Sequence, residues 1–337
     1  MNVKSKVNNE TKIKKVKTKA INQDKQKNGD FFPLMVAIAF AYLSFGAITN
    51  VAGAIIPKIR DSYQVSSSLS ALLAATFFIA YGLTSIPWGI FMDKNSKKLT
   101  LIISSLITMA GVALFAAISG FTPNMIAMFL CGVGITGIQV AINPLVAEIS
   151  DPAKYSRNLT LFMVVNGAGG YLAPQLVTLI KNQGMPWSVT YWVFTAIALV
   201  MTLAISFPKY PQTVKAKEKT DSAKSNHTLN LLTKHPLIYL YAIGIFLYVG
   251  VEVGVANTIG FYLQDKLNIG EVLGEAAEAA KNTTISNYWG GLLLGRLIGS
   301  LVLDRIPGKV AIMSYISIAA AALYLAMHGD INQALWA

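Results

Sequence analysis

Gly89-Ile90-Phe91-Met92-Asp93-Lys94-Asn95-Ser96-Lys97-Lys98 and, 211 residues further on, Ser300-Leu301-Val302-Leu303-Asp304-Arg305-Ile306-Pro307-Gly308-Lys309 share one pattern: a small residue, three apolar residues, an aspartate, a base, then more base. Each copy joins the end of one long apolar stretch to the start of the next. A repeat on this scale predicts an all-α membrane protein of two like helical bundles. The polar segment 208–236 lies between them as a linker.

The composition fits that expectation. Hydrophobic residues make up 54% of the 337 and charged residues only 13%, a balance foreign to soluble domains of this length. Taking about 20 apolar residues per crossing, spans are predicted near Phe31–Ile56, Leu69–Met92, Leu99–Ile118, Asn124–Val146, Leu159–Ile180, Trp187–Phe207, Ile238–Leu263, Asn287–Leu303 and Lys309–Met327, with a tenth starting near Ile331. The expected organisation is therefore a basic disordered tail (1–30), a six-helix bundle (31–207), the linker, and a second bundle (237–337) of three helices and a stub.

The charges alternate between connections. Nine of the 28 basic residues precede Gly29, and the connections that face the same way as this tail bring the total on its side to 22, against five on the opposite side. By the positive-inside rule the N-terminus and the even-to-odd connections are cytoplasmic, in a multi-pass protein of the cell membrane. The net charge of +12 is then a topology signal with the bilayer as its partner, and nucleic acid is not expected. Gly132-Val133-Gly134-Ile135-Thr136-Gly137 matches a dinucleotide fingerprint by letter, but no strand precedes it and it lies inside a span. No phosphate loop, nucleophile elbow or metal-ligand spacing is present, so an enzyme is not expected and neither cofactor nor metal is assigned.

Polar side chains inside spans are costly and mark function by default. Gln139 and Asn143 fall one turn apart on the fourth span, ahead of Pro144, which frees a backbone carbonyl. Glu252 is the one carboxylate within a span, in Tyr248-Val249-Gly250-Val251-Glu252-Val253-Gly254-Val255-Ala256-Asn257. Asn50, Asn166 and Trp289 add further amides and an aromatic face. Amides and a carboxylate bind paired hydroxyls, and a sugar ring rests its apolar face on an aromatic ring. Asn50, Gln139, Asn143, Asn166, Tyr248, Glu252, Asn257 and Trp289 are accordingly the expected site for an uncharged polyol, the competing role for the amides being glue between helices. Arg296, eight residues before Asp304, is expected to send its head group to the interface as a structural residue. Gly291, Gly295 and Gly299 form a stripe suited to close helix packing. Glu271–Ala280 is expected to be a separate short helix on the outer surface.

The loop at Gly89–Lys98 resembles the signature between the second and third helices of the major facilitator superfamily, departing only where Ser96 replaces a glycine. That resemblance implies a twelve-helix, two-bundle fold, of which this chain supplies six spans plus three and a stub, as if truncated. It also implies that Asp93, Lys94, Asp304 and Arg305 belong to loops whose helix contacts break and reform as the bundles rock. The stretches around Gln139–Asn143, Tyr248–Gly254 and Tyr288–Ser300 are similar to the fucose–galactose–glucose:proton symporter family, with Gln139 and Glu252 exchanged relative to the fucose branch, as in the glucose/galactose branch. The resemblance implies a secondary active transporter of a hexose, working by alternating access, with a proton or sodium ion coupled through Glu252; a monomer is the expected state. Two departures bear on coupling: Gly53 stands where the family carries an aspartate, and Met163 where it carries a glutamine. They favour an uncoupled hexose facilitator as the second expectation, ahead of a sugar sensor that moves no solute or a truncated remnant.

Overall fold

In the computed structural model, residues 31–151, 154–211, 236–302 and 308–328 are described. Asp304 and Arg305, the tail and nearly all of the linker lie outside them. The described residues form helices α1 (Phe32–Asn50), α2 (Ala52–Tyr63), α3 (Ser67–Lys94), α4 (Lys97–Ala117), α5 (Phe121–Ile149), α6 (Tyr155–Asn182), α7 (Val189–Ser206), α8 (Pro236–Phe261), α9 (Ile269–Leu273), α10 (Ala277–Val302) and α11 (Gly308–His328), and no strand is found among them. Seven helical stretches are long and apolar enough to cross a bilayer, α1 and α2 counting together as Phe32–Tyr63. The protein is a multi-pass membrane protein.

Two boundaries differ from expectation. The first span breaks at Val51, whose carbonyl takes two N–H donors, from Ala54 at 3.0 Å and Ile55 at 3.2 Å, before the chain continues as α2. Pro57 lies within α2, so the Gly53 carbonyl one turn earlier has no helical donor. The eighth helix starts at Ala277, ten residues before the predicted start of the span, because Ala-Glu-Ala-Ala-Lys is a strong helix former and Glu278 suits the positive end of a helix dipole. The expected separate helix over Glu271–Ala280 is therefore divided among α9, a short 3₁₀ turn (Gly274–Ala276) and the first turn of α10.

The core is densest around α1 and α5 and along the faces of α4 and α7 that meet them. Gly134 and Gly137 bring the α5 backbone against α4 and Trp88 of α3, where an added Cβ would fall within 2.7 Å of Trp88 or 2.5 Å of the Thr108 backbone nitrogen. The dinucleotide-like string is thus a helix-packing surface. The fully buried hydroxyls of Ser104 and Thr108 on α4 donate to carbonyls one turn back, at 2.7 and 3.0 Å, which meets their hydrogen-bonding need without water. In contrast, α8 and α11 expose Phe246, Tyr241, Ile312 and Met313 by more than half, a surface suited to hydrocarbon. Gly291 and Gly295 meet nothing within 4 Å, so the predicted glycine stripe is not a packing seam at those two positions, whereas Gly299 is buried and Gly290 approaches the Tyr171 ring.

The quoted loop is a tight, well-capped corner. Asn95 Nδ2 donates to the Phe91 carbonyl (2.9 Å), and Ser96 Oγ accepts from Leu99 N (3.1 Å) as the N-cap of α4. The serine that departs from the superfamily signature therefore serves as a helix cap. Lys97 pairs with Glu148 at the end of α5 (2.6 Å), and Lys98 lies over the Tyr210 ring at 5.4 Å. Asp93 and Lys94 are exposed.

Candidate functional site

The two α5 amides are each taken by a tyrosine from another helix. Tyr42 of α1 donates its hydroxyl to Asn143 Oδ1 at 2.7 Å, and Tyr81 of α3 donates to Gln139 Oε1. Tyr42 also stacks on Phe162 of α6, with centroids 5.6 Å apart and planes 7° from parallel, and its carbonyl accepts from Asn166 Nδ2 at 3.2 Å. One buried tyrosine thus gathers Asn143 and Asn166, and a second fixes Gln139. The hydroxyls engage the amide oxygens, and among the described residues the Gln139 and Asn143 NH2 groups have no acceptor. Neither tyrosine was singled out from sequence, although a phenol inside a span needs a partner for its hydroxyl.

Glu252 is not an isolated carboxylate. Arg296 Nη2 lies 3.2 Å from its Oε1, and both side chains are largely buried, at 12% and 25% exposure for Glu252 and Arg296. Tyr288 donates to the Glu252 carbonyl at 2.8 Å, while half-exposed Tyr248, one turn back on α8, adjoins both charges. This corrects the expected role of Arg296. Its length would reach the interface, but the uncompensated carboxylate on α8 offers a far stronger partner in a low-dielectric setting than water at the membrane edge.

The charged pair meets the first bundle along α6. Helices α6 and α10 run antiparallel in close register, with Thr178 opposite Asn282, Gly170 opposite Trp289, Gly167 opposite Leu293, and the Met163 carbonyl 3.5 Å from Arg296 Nη1. At Gly170 the missing side chain admits both Asn50 of α1 and Trp289 of α10. Trp289 is 4% exposed and its indole N–H has no partner among the described residues. Asn257 stands where α8 presses on α2: a Cβ on Gly53 would come 2.5 Å from the Ala256 carbonyl and 3.6 Å from Asn257 Cα. Where the resemblance puts an aspartate, this chain has room for no side chain at all.

The predicted residues therefore fall into three groups: Gln139, Asn143 and Asn166 with two tyrosines; Asn50 with Trp289; and Tyr248 with Glu252. Asn257 lies apart, at the α2–α8 contact. No hydrogen bond joins Glu252 to the α5 amides among the described residues. Helix α6 connects them, since Asn166 is one turn from Met163. Asp304 and Arg305 lie outside the described residues.

The chain as a whole is similar to known proteins. The chain is 26% identical over 328 residues to a glucose/galactose transporter of Brucella abortus, covering 92% of this chain and 76% of that one. A putative glucose/galactose transporter of Helicobacter pylori is 27% identical over 331 residues, with 91% and 77% covered. The crystal structure of the E. coli fucose:proton symporter superposes with a TM-score of 0.64 at 18% identity, over 91% of this chain and 79% of that one, which shows a shared fold. The Major Facilitator Superfamily profile matches residues 37–337. Seven apolar spans, the repeated acidic–basic loop and that match together place the chain in the Major Facilitator Superfamily.

Proposed function

We propose that the protein carries a hexose of the glucose/galactose type across the cell membrane by alternating access, acting as a monomer with its N-terminus in the cytoplasm. The supporting observation, among the described residues, is the pair of α5 amides, held by Tyr42 and Tyr81 with their NH2 donors unspent, on the far side of α6 from a carboxylate and an unpartnered indole N–H. Donors and acceptors set at an interbundle seam suit the hydroxyls of a neutral sugar, and the glucose/galactose transporters are relatives over most of the chain. The basic connections support the orientation.

Coupling, by proton or sodium, is assigned to Glu252 together with Arg296. A proton or cation on Glu252 cancels the charge that holds Arg296 at Oε1, so loading the carboxylate weakens the pair. That makes the pair an element with two positions, biased by what is bound. The second reading, an uncoupled facilitator, draws on Gly53 and on the pair's being neutral as a whole, which lets the empty carrier reorient unaided.

Counterflow of radiolabelled glucose and galactose in proteoliposomes of the full chain tests the transport reading. Stereospecific exchange is expected, and its absence would refute the proposal. Sugar-driven uptake of protons or sodium separates the two coupling modes.

A further inference from the structure

Among the described residues, every ion pair between the bundles sits at the end away from the basic loops. Glu278, in the first turn of α10, is held at once by Lys58 of α2 and Lys181 at the end of α6. Beside it, Arg60 Nη1 lies 2.6 Å from Asp265, the Arg60 Cζ stands 5.2 Å from the centroid of the Phe261 ring, and Gln264 Nε2 is 3.4 Å from Asp61. Lys58, Asp61, Lys181, Trp187 and Glu278 line a cavity of about 260 Å³ at this junction. Lys58, Arg60 and Glu278 are each less than one-fifth exposed, so these contacts are screened less than surface pairs.

Behind this cluster the α6–α10 seam is lined by polar side chains. Asn282 Oδ1, Ser286 Oγ and Trp289 Nε1 follow one another along a single face of α10; all three are buried and, among the described residues, none has a hydrogen-bond partner. Buried polar atoms without partners favour any state in which water or a ligand reaches them. The seam thus carries two opposed tendencies: its lining favours opening, and the ion pairs at its mouth favour closure.

We propose that Glu278 is the keystone of the outer gate, clamping α2 and α6 of the first bundle to α10 of the second, and that the Asn282–Ser286–Trp289 face becomes the wetted wall of the outer vestibule when the clamp releases. Lys58 and Lys181 come from different helices, so one carboxylate closes two interbundle contacts together. Arg60 with Asp265 acts as a second, more exposed latch. The inference rests on alternating access and on the orientation proposed above, and not on the identity of the sugar.

The native Cys131 is buried, so a cysteine introduced at Ser286 is the reactive thiol of the seam. In intact cells expressing the full chain with S286C, the labelling rate by a membrane-impermeant maleimide reports outer opening without any sugar present. Adding Glu278→Gln is expected to raise that rate by about tenfold, the population shift on loss of a part-buried ion pair. Adding Asp265→Asn instead should raise it less. An unchanged rate in folded, surface-resident E278Q/S286C protein would overturn the proposal; should that variant fail to fold, an unchanged rate in D265N/S286C would do so. Because labelling is read without sugar, a failure of hexose counterflow leaves this result independent.

Discussion

Arg296 and Glu252, on neighbouring helices α10 and α8, form an ion pair of 3.2 Å at mid-span. Removing either charge alone leaves the other buried without compensation, at a cost of about 3–5 kcal/mol. Glu252→Gln and Arg296→Gln should each lower the unfolding midpoint in detergent sharply. The double variant should recover most of that loss while failing to transport sugar, and a double variant no more stable than the singles would contradict the pairing.

The amide–tyrosine contacts predict a binding phenotype with little structural consequence. Tyr42→Phe and Tyr81→Phe keep the ring packing but release Asn143 and Gln139 to rotate. Loss of one such positioning bond is worth about 1 kcal/mol, so the concentration for half-maximal counterflow should rise severalfold, while stability falls by no more than about 1 kcal/mol.

Gly53 predicts the opposite combination. Gly53→Asp restores the carboxylate of the wider family but drives a Cβ toward the Ala256 carbonyl. Overpacking of this kind costs about 1–3 kcal/mol, so the variant should lose thermal stability in a melting assay and gain no proton coupling. Proton-coupled uptake by a stable G53D protein would disprove the steric account.

Lys281 predicts a gain. It is 7% exposed, and among the described residues no carboxylate lies within ion-pairing distance of its ammonium. Lys281→Met keeps the length of the side chain and removes the cost of burying a charge. The variant should melt at a higher temperature than the parent.

The sequence was most informative where the signal is local. The positions of the first seven expected spans follow from hydropathy, the corner at Asp93–Lys98 from one repeated string, and the shared face of Gln139 and Asn143 from helical period alone. What it could not disclose depends on partners distant along the chain. Tyr42 meets Asn143 across 101 positions, and nothing near either residue announces the contact. Arg296 was misjudged for the same reason: its neighbours in sequence point toward Asp304, whereas its partner lies 44 positions back on α8. The early start of α10 escaped notice because hydropathy detects the apolar span, while the polar extension that carries Glu278 and Lys281 is fixed by helix propensity and by lysines on other helices.

Binding is the most direct test of the central claim, that the α5 amides and the Glu252–Arg296 pair serve one hexose site between the bundles. Titration of the purified full chain with galactose, followed by tryptophan fluorescence, should give a saturable change that is lost in Asn143→Ala and again in Glu252→Gln. A saturable signal that survives both substitutions, or no signal from the parent chain, would contradict it.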